Sequence, residues 1–176
     1  NQGADIEWIV VDDGSDPAFY SAFDNVAARG VGVIRLTTNS GQAAARNAGL
    51  AAAKGKWVKF LDIDDELEAD HLEALCYAAE AAPSSVIPFA PTVHVWPSGV
   101  QFRNETWRSL DTSPEDQLAR LLCAPFLHHC GALFPRDLLN ELGGYDETLV
   151  TDEDGDLLIR ILLEGYTFAA VPDTAY

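Results

Sequence analysis

The chain has 176 residues, of which 48% are apolar and 22% charged, and this is typical of one compact globular domain with a sizeable core. No stretch of about 18 uncharged apolar residues is present, so the chain contains no predicted transmembrane segment. The formal net charge of −17 argues against nucleic acid as a partner, because such a surface repels phosphodiester backbones. It also repels a nucleotide diphosphate, unless a divalent cation bridges the two.

The first half of the chain alternates strand-like and helix-like segments. Short apolar runs predict strands, and the Ala-rich stretch is a strong helix former. Asp16 is a candidate cap for the first helix. The predicted strands cover 6–11, 31–36 and 57–61, and the predicted helices cover 16–26, 42–53 and 68–82.

The second half is more mixed. The turn signal Pro97-Ser98-Gly99 between strand-like runs predicts a local antiparallel ribbon. Ser113 is a candidate helix cap. The predicted strands cover 85–89, 92–96, 100–103, 131–134 and 167–171, and the predicted helices cover 114–122, 138–142 and 153–164. Repeated β-α units followed by a mixed half predict a three-layer α/β fold.

The three cysteines, Cys76, Cys123 and Cys130, are odd in number and show no CxxC spacing. A disulfide framework is therefore not expected, and a reducing, cytoplasmic location is the simpler interpretation. We expect buried free thiols that act as small apolar residues. A zinc site with His128 or His129 is the alternative.

Three carboxylates, Asp62, Asp64 and Asp65, directly follow an apolar strand-like run. If the strand continued, Asp62 and Asp64 would project to the same side. Carboxylates this close repel one another unless a cation or proton neutralises them, and oxygen ligands suit Mg²⁺ or Mn²⁺. A solvated acidic loop is the alternative, and Asp65 could instead cap the next helix.

Asp12 and Asp13 come where another predicted strand meets a loop, which is the usual ligand position in open α/β sheets. A carboxylate there can accept the imide N–H of uracil or thymine. The alternative is a cap or turn role for Asp12, Ser15 or Asp16, because Asp-Gly-Ser-Asp is also good turn chemistry.

Four segments, taken together, resemble glycosyltransferase family 2. They are 9–15 (IVVDDGS), 39–41 with 45–49 (NSG and ARNAG), 60–65 (FLDIDD), and 143–147 with 153–157 and Arg160 (GGYDE and EDGDL). The resemblance implies a three-layer, Rossmann-like GT-A fold with a mixed, mostly parallel sheet and a small antiparallel ribbon.

The resemblance also implies an inverting hexosyltransferase-type enzyme. Its donor would be a nucleotide diphosphate sugar, most simply a UDP-sugar, and its acceptor a hydroxyl of a glycan, lipid or protein, with Mn²⁺ or Mg²⁺ as cofactor. Residues 1–176 would form one such domain, lacking the family's first strand and C-terminal tail. Membrane association would then come through those missing parts. A sugar nucleotidyltransferase and a non-catalytic nucleotide- or carbohydrate-binding module are the alternatives.

Residue roles follow from the same resemblance. It assigns the base-recognising carboxylate to Asp13 and the direct metal ligand of the Asp-x-Asp motif to Asp64. Asp62 would hold the ribose or metal-bound water, and Asp65 could be a second ligand or cap the next helix. Asp154 resembles the catalytic base, although acidic residues at a helix start also suit the helix dipole.

Two further sets of residues have open alternatives. Arg46 could approach the diphosphate or form an ion pair with the acidic loops. The aromatic residues Trp96, Phe102 and Trp107 could form a platform under a sugar ring, whereas core packing is the default for such residues.

Overall fold

The computed structural model describes residues 5–103, 113–123, 127–172 and 174–175. The strands are β1 Ile9–Asp12, β2 Gly32–Arg35, β3 Trp57–Val58, β4 Val86–Phe89, β5 Val93–Val95, β6 Gln101–Arg103, β7 Phe134–Pro135 and β8 Thr167–Ala170. The α-helices are α1 Tyr20–Ala27, α2 Gln42–Ala52, α3 His71–Ala81, α4 Pro114–Cys123, α5 Arg136–Glu141 and α6 Glu153–Leu163, and 3-10 helices cover Pro17–Phe19 and His129–Gly131.

Two compact units make up the chain. The amino-terminal unit consists of 5–58 and 136–157, and the central unit consists of the described residues within 59–135 and 158–175. Helix α6 contributes its first part to the amino-terminal unit and the rest to the central unit. That residues 1–176 act as one transferase domain stays a prediction.

The amino-terminal unit is built on a parallel strand pair. Strand β1 pairs with β2 in a register that places Ile9 opposite Gly32, and α1 forms the crossover that a parallel pair requires. Helix α2 packs on β1. Gly49 permits this close packing, since even a Cβ atom at this position would lie 3.4 Å from the Val11 side chain.

The central unit contains a second parallel pair, β4 and β8. Helix α4 is fixed to β8 by the buried side chain of Gln117, which donates to the Phe168 carbonyl and accepts from the Phe168 N–H. His71, at the start of α3, is fully buried and bonds the Ala175 carbonyl through Nδ1 at 2.8 Å. Burial lowers the pKa of His71 to about 4, with a contribution from Lys59, so the ring is neutral.

Strands β5 and β6 form the predicted antiparallel ribbon. His94 lies opposite Phe102 in the register, and their rings are stacked with centroids 6.3 Å apart. Trp96 is 48% exposed and Phe102 56% exposed, so the core-packing expectation is wrong for both residues. Trp107, the third aromatic residue of that set, lies outside the described residues.

Most predicted elements are confirmed, and the differences are at strand ends. Strand β1 begins at Ile9 because its partner begins at Gly32. Strand β3 ends at Val58, although the apolar run continues to Phe60, which is buried without belonging to a strand. Where a strand was expected at 131–134, the N–H of Gly131 donates to the His128 carbonyl and closes a 3-10 turn, and β7 starts only at Phe134.

Local capping signals behaved as expected. Asp16 accepts from the Ala18 N–H at the first 3-10 helix, where Pro17 occupies the first position. Ser113 Oγ accepts from the Asp116 N–H and opens α4.

None of the described helices has the length and apolar character needed to cross a membrane.

Candidate functional site

Asp12, the last residue of β1, is almost completely buried. Its Oδ1 accepts from the Ser15 N–H at 2.9 Å, which matches the alternative turn role of Asp12 and Ser15. Hydrogen bonds from the Ser15 side chain and then its backbone lower the pKa of Asp12, so the carboxylate is ionised. Its other oxygen, Oδ2, has no hydrogen-bond partner among the described residues.

Asp13 points to the loop that opens α2. Its Oδ1 accepts from the Ser40 N–H at 2.8 Å and its Oδ2 from the Gly41 N–H at 2.9 Å. Gly41 has φ +94, a conformation that favours glycine at the helix start. Two backbone donors thus fix the orientation of the carboxylate, and the remaining lone pairs of its oxygens can accept a ligand N–H.

Asn47 on α2 holds the Gly-Gly-Tyr-Asp-Glu segment that leads towards α6. Its Nδ2 donates to the Tyr145 carbonyl at 2.9 Å, and its Oδ1 accepts from the Tyr145 N–H at 2.8 Å. The same Nδ2 also donates to Glu147 at 2.8 Å. One side chain therefore replaces a strand partner for Tyr145 and fixes this segment against α2.

Arg46 forms an ion pair with Glu153 at 2.8 Å, in which the two side chains are only 10% and 13% exposed. Its guanidinium also donates to Gln42 and lies 5.3 Å from the centre of the Tyr145 ring. This geometry matches the ion-pair alternative for Arg46. Contact of Arg46 with a diphosphate stays a prediction.

Asp154 lies in the first turn of α6, next to Glu153, and its side chain is half-buried. Its Oδ1 accepts from the Gly155 N–H at 2.9 Å. Asp152, which precedes the helix, has φ +63, a left-handed conformation that Asp adopts more readily than most residues. The Arg46–Glu153 pair fixes the residue next to Asp154 to α2 in the amino-terminal unit.

The close contact between Asn47 and the Gly143-Gly144 turn yields a testable prediction. A Cβ atom on Gly144, whose φ is +73, would overlap Asn47 Oδ1. We expect Gly144→Ala to reduce the free energy of unfolding by about 1–2 kcal/mol through backbone strain, and by about 1 kcal/mol more for each Asn47 hydrogen bond that is lost.

Gly143→Ala is the matched control, because Gly143 has φ +77 and nothing lies within 4 Å of its Cβ position. It should show the backbone strain alone. Urea unfolding of both variants measures the difference. Equal losses in the two variants would mean that the Asn47 bonds contribute nothing to stability.

The acidic segment after β3 forms a turn in the central unit. The Asp65 N–H donates to the Asp62 carbonyl at 3.1 Å, which places Asp62 and Asp65 at the two ends of the turn. Ile63 and Asp64 form its exposed tip. Because β3 has already ended at Val58, the strand alternation expected to bring Asp62 and Asp64 to one side does not apply.

Carboxylate oxygens of Asp62 and Asp65 lie within 4.8 Å of each other and of Cys130 Sγ. Burial, followed by the nearby charges of Asp62 and Asp64, raises the pKa of Asp65. Two neighbouring carboxylates offer a divalent cation the oxygen ligands it prefers, so these residues fit Mg²⁺ or Mn²⁺. Asp64 is outside this group of ligand atoms, and its role as the direct ligand stays a prediction.

The suggestion that Asp65 caps the next helix is wrong, because α3 begins at His71 and its cap position is Asp70. Two neighbours of the acidic turn were not assigned to it from the sequence. One is Cys130, and the other is Lys59, whose pKa is lowered to about 8 by burial. The sequence signal for Lys59 was a charged residue inside the apolar run Trp-Val-Lys-Phe-Leu.

Solved structures define the class of fold. S. aureus TarS 1–349 in complex with UDP superimposes with a TM-score of 0.75 and 23% identity, covering 97% of this chain and 50% of TarS 1–349. GalNAc-T7 with UDP, GalNAc and Mn²⁺ gives a TM-score of 0.68 and 16% identity, covering 96% of this chain and 37% of that one. The fold is therefore GT-A, as the sequence predicted.

Sequence comparison then identifies the family. The profile described as "Glycosyl transferase family 2" matches residues 1–143. The succinoglycan biosynthesis protein ExoO of Rhizobium meliloti is 31% identical over 194 residues, which cover 99% of this chain and 52% of ExoO. The pre-mycofactocin glycosyltransferase of Mycobacterium tuberculosis is 32% identical over 167 residues, which cover 89% of this chain and 34% of that protein. The chain belongs to glycosyl transferase family 2, and it spans about half or less of the length of these relatives.

Proposed function

We propose that this chain is the nucleotide-sugar-binding core of an inverting, metal-dependent glycosyltransferase. The donor is a UDP-sugar, and the acceptor is a hydroxyl group of a glycan, lipid or protein. One observation carries the proposal: in a family 2 chain, the oxygens of Asp62 and Asp65 are grouped within 4.8 Å of each other. Such a group suits a cation that in turn binds diphosphate oxygens.

Recognition of the base is assigned to Asp13. The Ser40 and Gly41 N–H groups hold its carboxylate in one orientation, so it is pre-organised to accept the imide N–H of uracil. A bound UDP in TarS and in GalNAc-T7 supports uridine as the nucleoside.

The metal is assigned to Asp62, Asp64 and Asp65, with Asp62 also able to reach the ribose. When bound there, a divalent cation would neutralise the charge that grows on the leaving diphosphate. The Mn²⁺ in the GalNAc-T7 structure favours Mn²⁺ as the physiological ion, with Mg²⁺ as the alternative.

Asp154 is assigned as the general base. Its carboxylate takes the proton of the acceptor hydroxyl while that oxygen forms a bond to the anomeric carbon. The bond from the anomeric carbon to the diphosphate breaks with its electron pair remaining on the phosphate oxygen, and attack from the opposite face inverts the configuration. The Arg46–Glu153 pair holds the helix start that carries Asp154.

The acceptor and the location of the reaction are less restricted by the site. ExoO is named for succinoglycan biosynthesis, and this favours a glycan as the acceptor. Cys76, Cys123 and Cys130 are all free thiols, which favours a reducing compartment such as the cytoplasm.

The metal assignment predicts that UDP binding depends on a divalent cation. We expect calorimetric titration with UDP to show an affinity at least about tenfold higher with Mn²⁺ than with EDTA, which corresponds to about 1.4 kcal/mol. Asp62→Asn should remove this difference. Asp70→Asn is the control, because Asp70 is exposed and Asn tolerates its left-handed backbone, φ +63.

The same titration separates the two carboxylates whose roles differ between sequence and geometry. If Asp65→Asn weakens Mn²⁺-dependent UDP binding more than Asp64→Asn does, Asp65 is the metal ligand, as the turn geometry indicates. If Asp64→Asn has the larger effect, Asp64 is the ligand, as the family motif implies. Equal UDP affinity of the unmodified chain with Mn²⁺ and with EDTA would contradict the metal assignment.

Thermal shifts with individual UDP-sugars in Mn²⁺ identify the donor sugar, since a ligand of the native state raises its stability.

A further inference from the structure

Cys130 is a fully buried thiol that links two groups of metal-ligating side chains in the central unit. Its Sγ lies within 4.8 Å of carboxylate oxygens of Asp62 and Asp65, and also within 4.8 Å of ring nitrogens of His128 and His129. The ligand atoms come from two separate segments, the turn after β3 and the start of the 3-10 helix His129–Gly131 with His128 as its cap residue. A carboxylate pair that binds a metal–nucleotide complex needs no sulfur or imidazole beside it. The Cys130 thiol and the neighbouring imidazoles are therefore not accounted for by nucleotide binding.

The distances suit a small tetrahedral ion. His129 Nε2 and Cys130 Sγ are 3.2 Å apart. Two ligands on one zinc ion, at about 2.0 Å for nitrogen and about 2.3 Å for sulfur, are separated by about 3.5 Å. The pair is therefore already near the spacing of a zinc site, and Cys130 Sγ is the ligand atom that the histidine group and the carboxylate group share.

Donor chemistry decides which ion such a site prefers. Thiolate and imidazole bind zinc and other thiophilic divalent ions, whereas Mg²⁺ and Mn²⁺ take oxygen ligands. The metal-ligating form of cysteine is the thiolate, so binding would release the thiol proton of Cys130.

We propose that Cys130, with His129 or His128 and the carboxylates of Asp62 and Asp65, forms a binding site for Zn²⁺ or a similar thiophilic divalent ion. The site exists without nucleotide and shares its two carboxylates with the donor-binding metal of the proposed function. Zinc bound there would compete with Mn²⁺ for Asp62 and Asp65, and it would thereby inhibit UDP binding. The binding itself does not depend on the proposed function, and only this competition does.

Cobalt titration tests the site directly. We expect one Co²⁺ per chain to produce the near-ultraviolet charge-transfer absorption of a Co²⁺–thiolate bond together with the visible bands of tetrahedral coordination, and Zn²⁺ to abolish both. Cys130→Ala should remove the charge-transfer band and weaken Zn²⁺ binding by at least about 100-fold, since loss of an outer-shell partner alone costs 10–100-fold. Cys123→Ala is the matched control, because Cys123 is an exposed thiol outside the group.

X-ray absorption of the zinc-loaded, unmodified chain gives a second readout that does not require a folded variant. One sulfur at about 2.3 Å from zinc supports the site. A shell of oxygen and nitrogen alone overturns it, as does a charge-transfer band that persists in Cys130→Ala and disappears in Cys123→Ala. Mn²⁺-dependent UDP binding of Cys130→Ala keeps the two proposals separate, because it should survive even where the zinc site fails.

Discussion

Replacing Asp154 with asparagine is expected to slow sugar transfer by about 10² to 10⁴-fold, the usual range for a lost general base. The substitution keeps the size of the side chain, and the amide oxygen can still accept from the Gly155 N–H that Asp154 bonds at 2.9 Å. The start of α6 should therefore remain intact. UDP affinity in Mn²⁺ should be unchanged, because donor binding is assigned to Asp13 and the acidic turn.

Three measurements on each variant decide this prediction: melting temperature, UDP affinity and turnover. Asp156→Asn is the control, since Asp156 lies in the same helical turn and has no assigned role in catalysis. If Asp154→Asn keeps normal turnover while Asp156→Asn loses it, the base is Asp156. A loss of activity that only follows a lower melting temperature would instead indicate a structural role for Asp154.

Replacing Arg46 with methionine is expected to lower the free energy of unfolding by about 3 kcal/mol. The cost arises because Glu153, only 13% exposed, would keep its charge in a poorly solvated position without its partner at 2.8 Å. The start of α6 would be displaced with it, so turnover should fall as well. Urea unfolding measures the first effect and steady-state kinetics the second.

A double variant separates the two roles considered for Arg46. Arg46→Met combined with Glu153→Gln removes both charges. Most of the lost stability and turnover should then return, because the destabilisation comes from a buried charge left without its partner. A diphosphate-binding Arg46 gives another pattern. In that case Arg46→Met weakens Mn²⁺-dependent UDP binding, leaves the unfolding free energy unchanged, and is not rescued by Glu153→Gln.

The acidic turn at Asp62–Asp65 was predicted only in part from the sequence. The cluster of carboxylates after an apolar run predicted a cation-binding segment from residue types alone, and the structure groups two of those carboxylates together. The two carboxylates that lie together are not the two that the sequence predicted. A strand would have placed the side chains of Asp62 and Asp64 on one side. Strand β3 ends at Val58, however, and the turn brings Asp62 close to Asp65. Strand length is set by pairing with a distant segment, and periodicity along the chain contains no information about that partner.

The sequence by itself determined the features that depend on a few neighbouring residues. The alternation of strands and helices, the Asp16 and Ser113 caps and the turn at Asp12–Ser15 follow from local propensities and hydrogen bonds between residues at most three positions apart. The four motifs that resemble family 2 were also visible in the sequence, because their order and spacing are properties of the chain alone.

Only the tertiary structure decided which distant residues meet. Arg46 pairs with Glu153 across 107 positions, and Asn47 holds Tyr145 across 98 positions. The neighbours of Cys130 likewise come from a turn more than 60 residues earlier in the chain. Each of these contacts connects side chains whose types allow several partners, and the partner is selected by packing of the fold, which brings together groups that local preferences cannot distinguish.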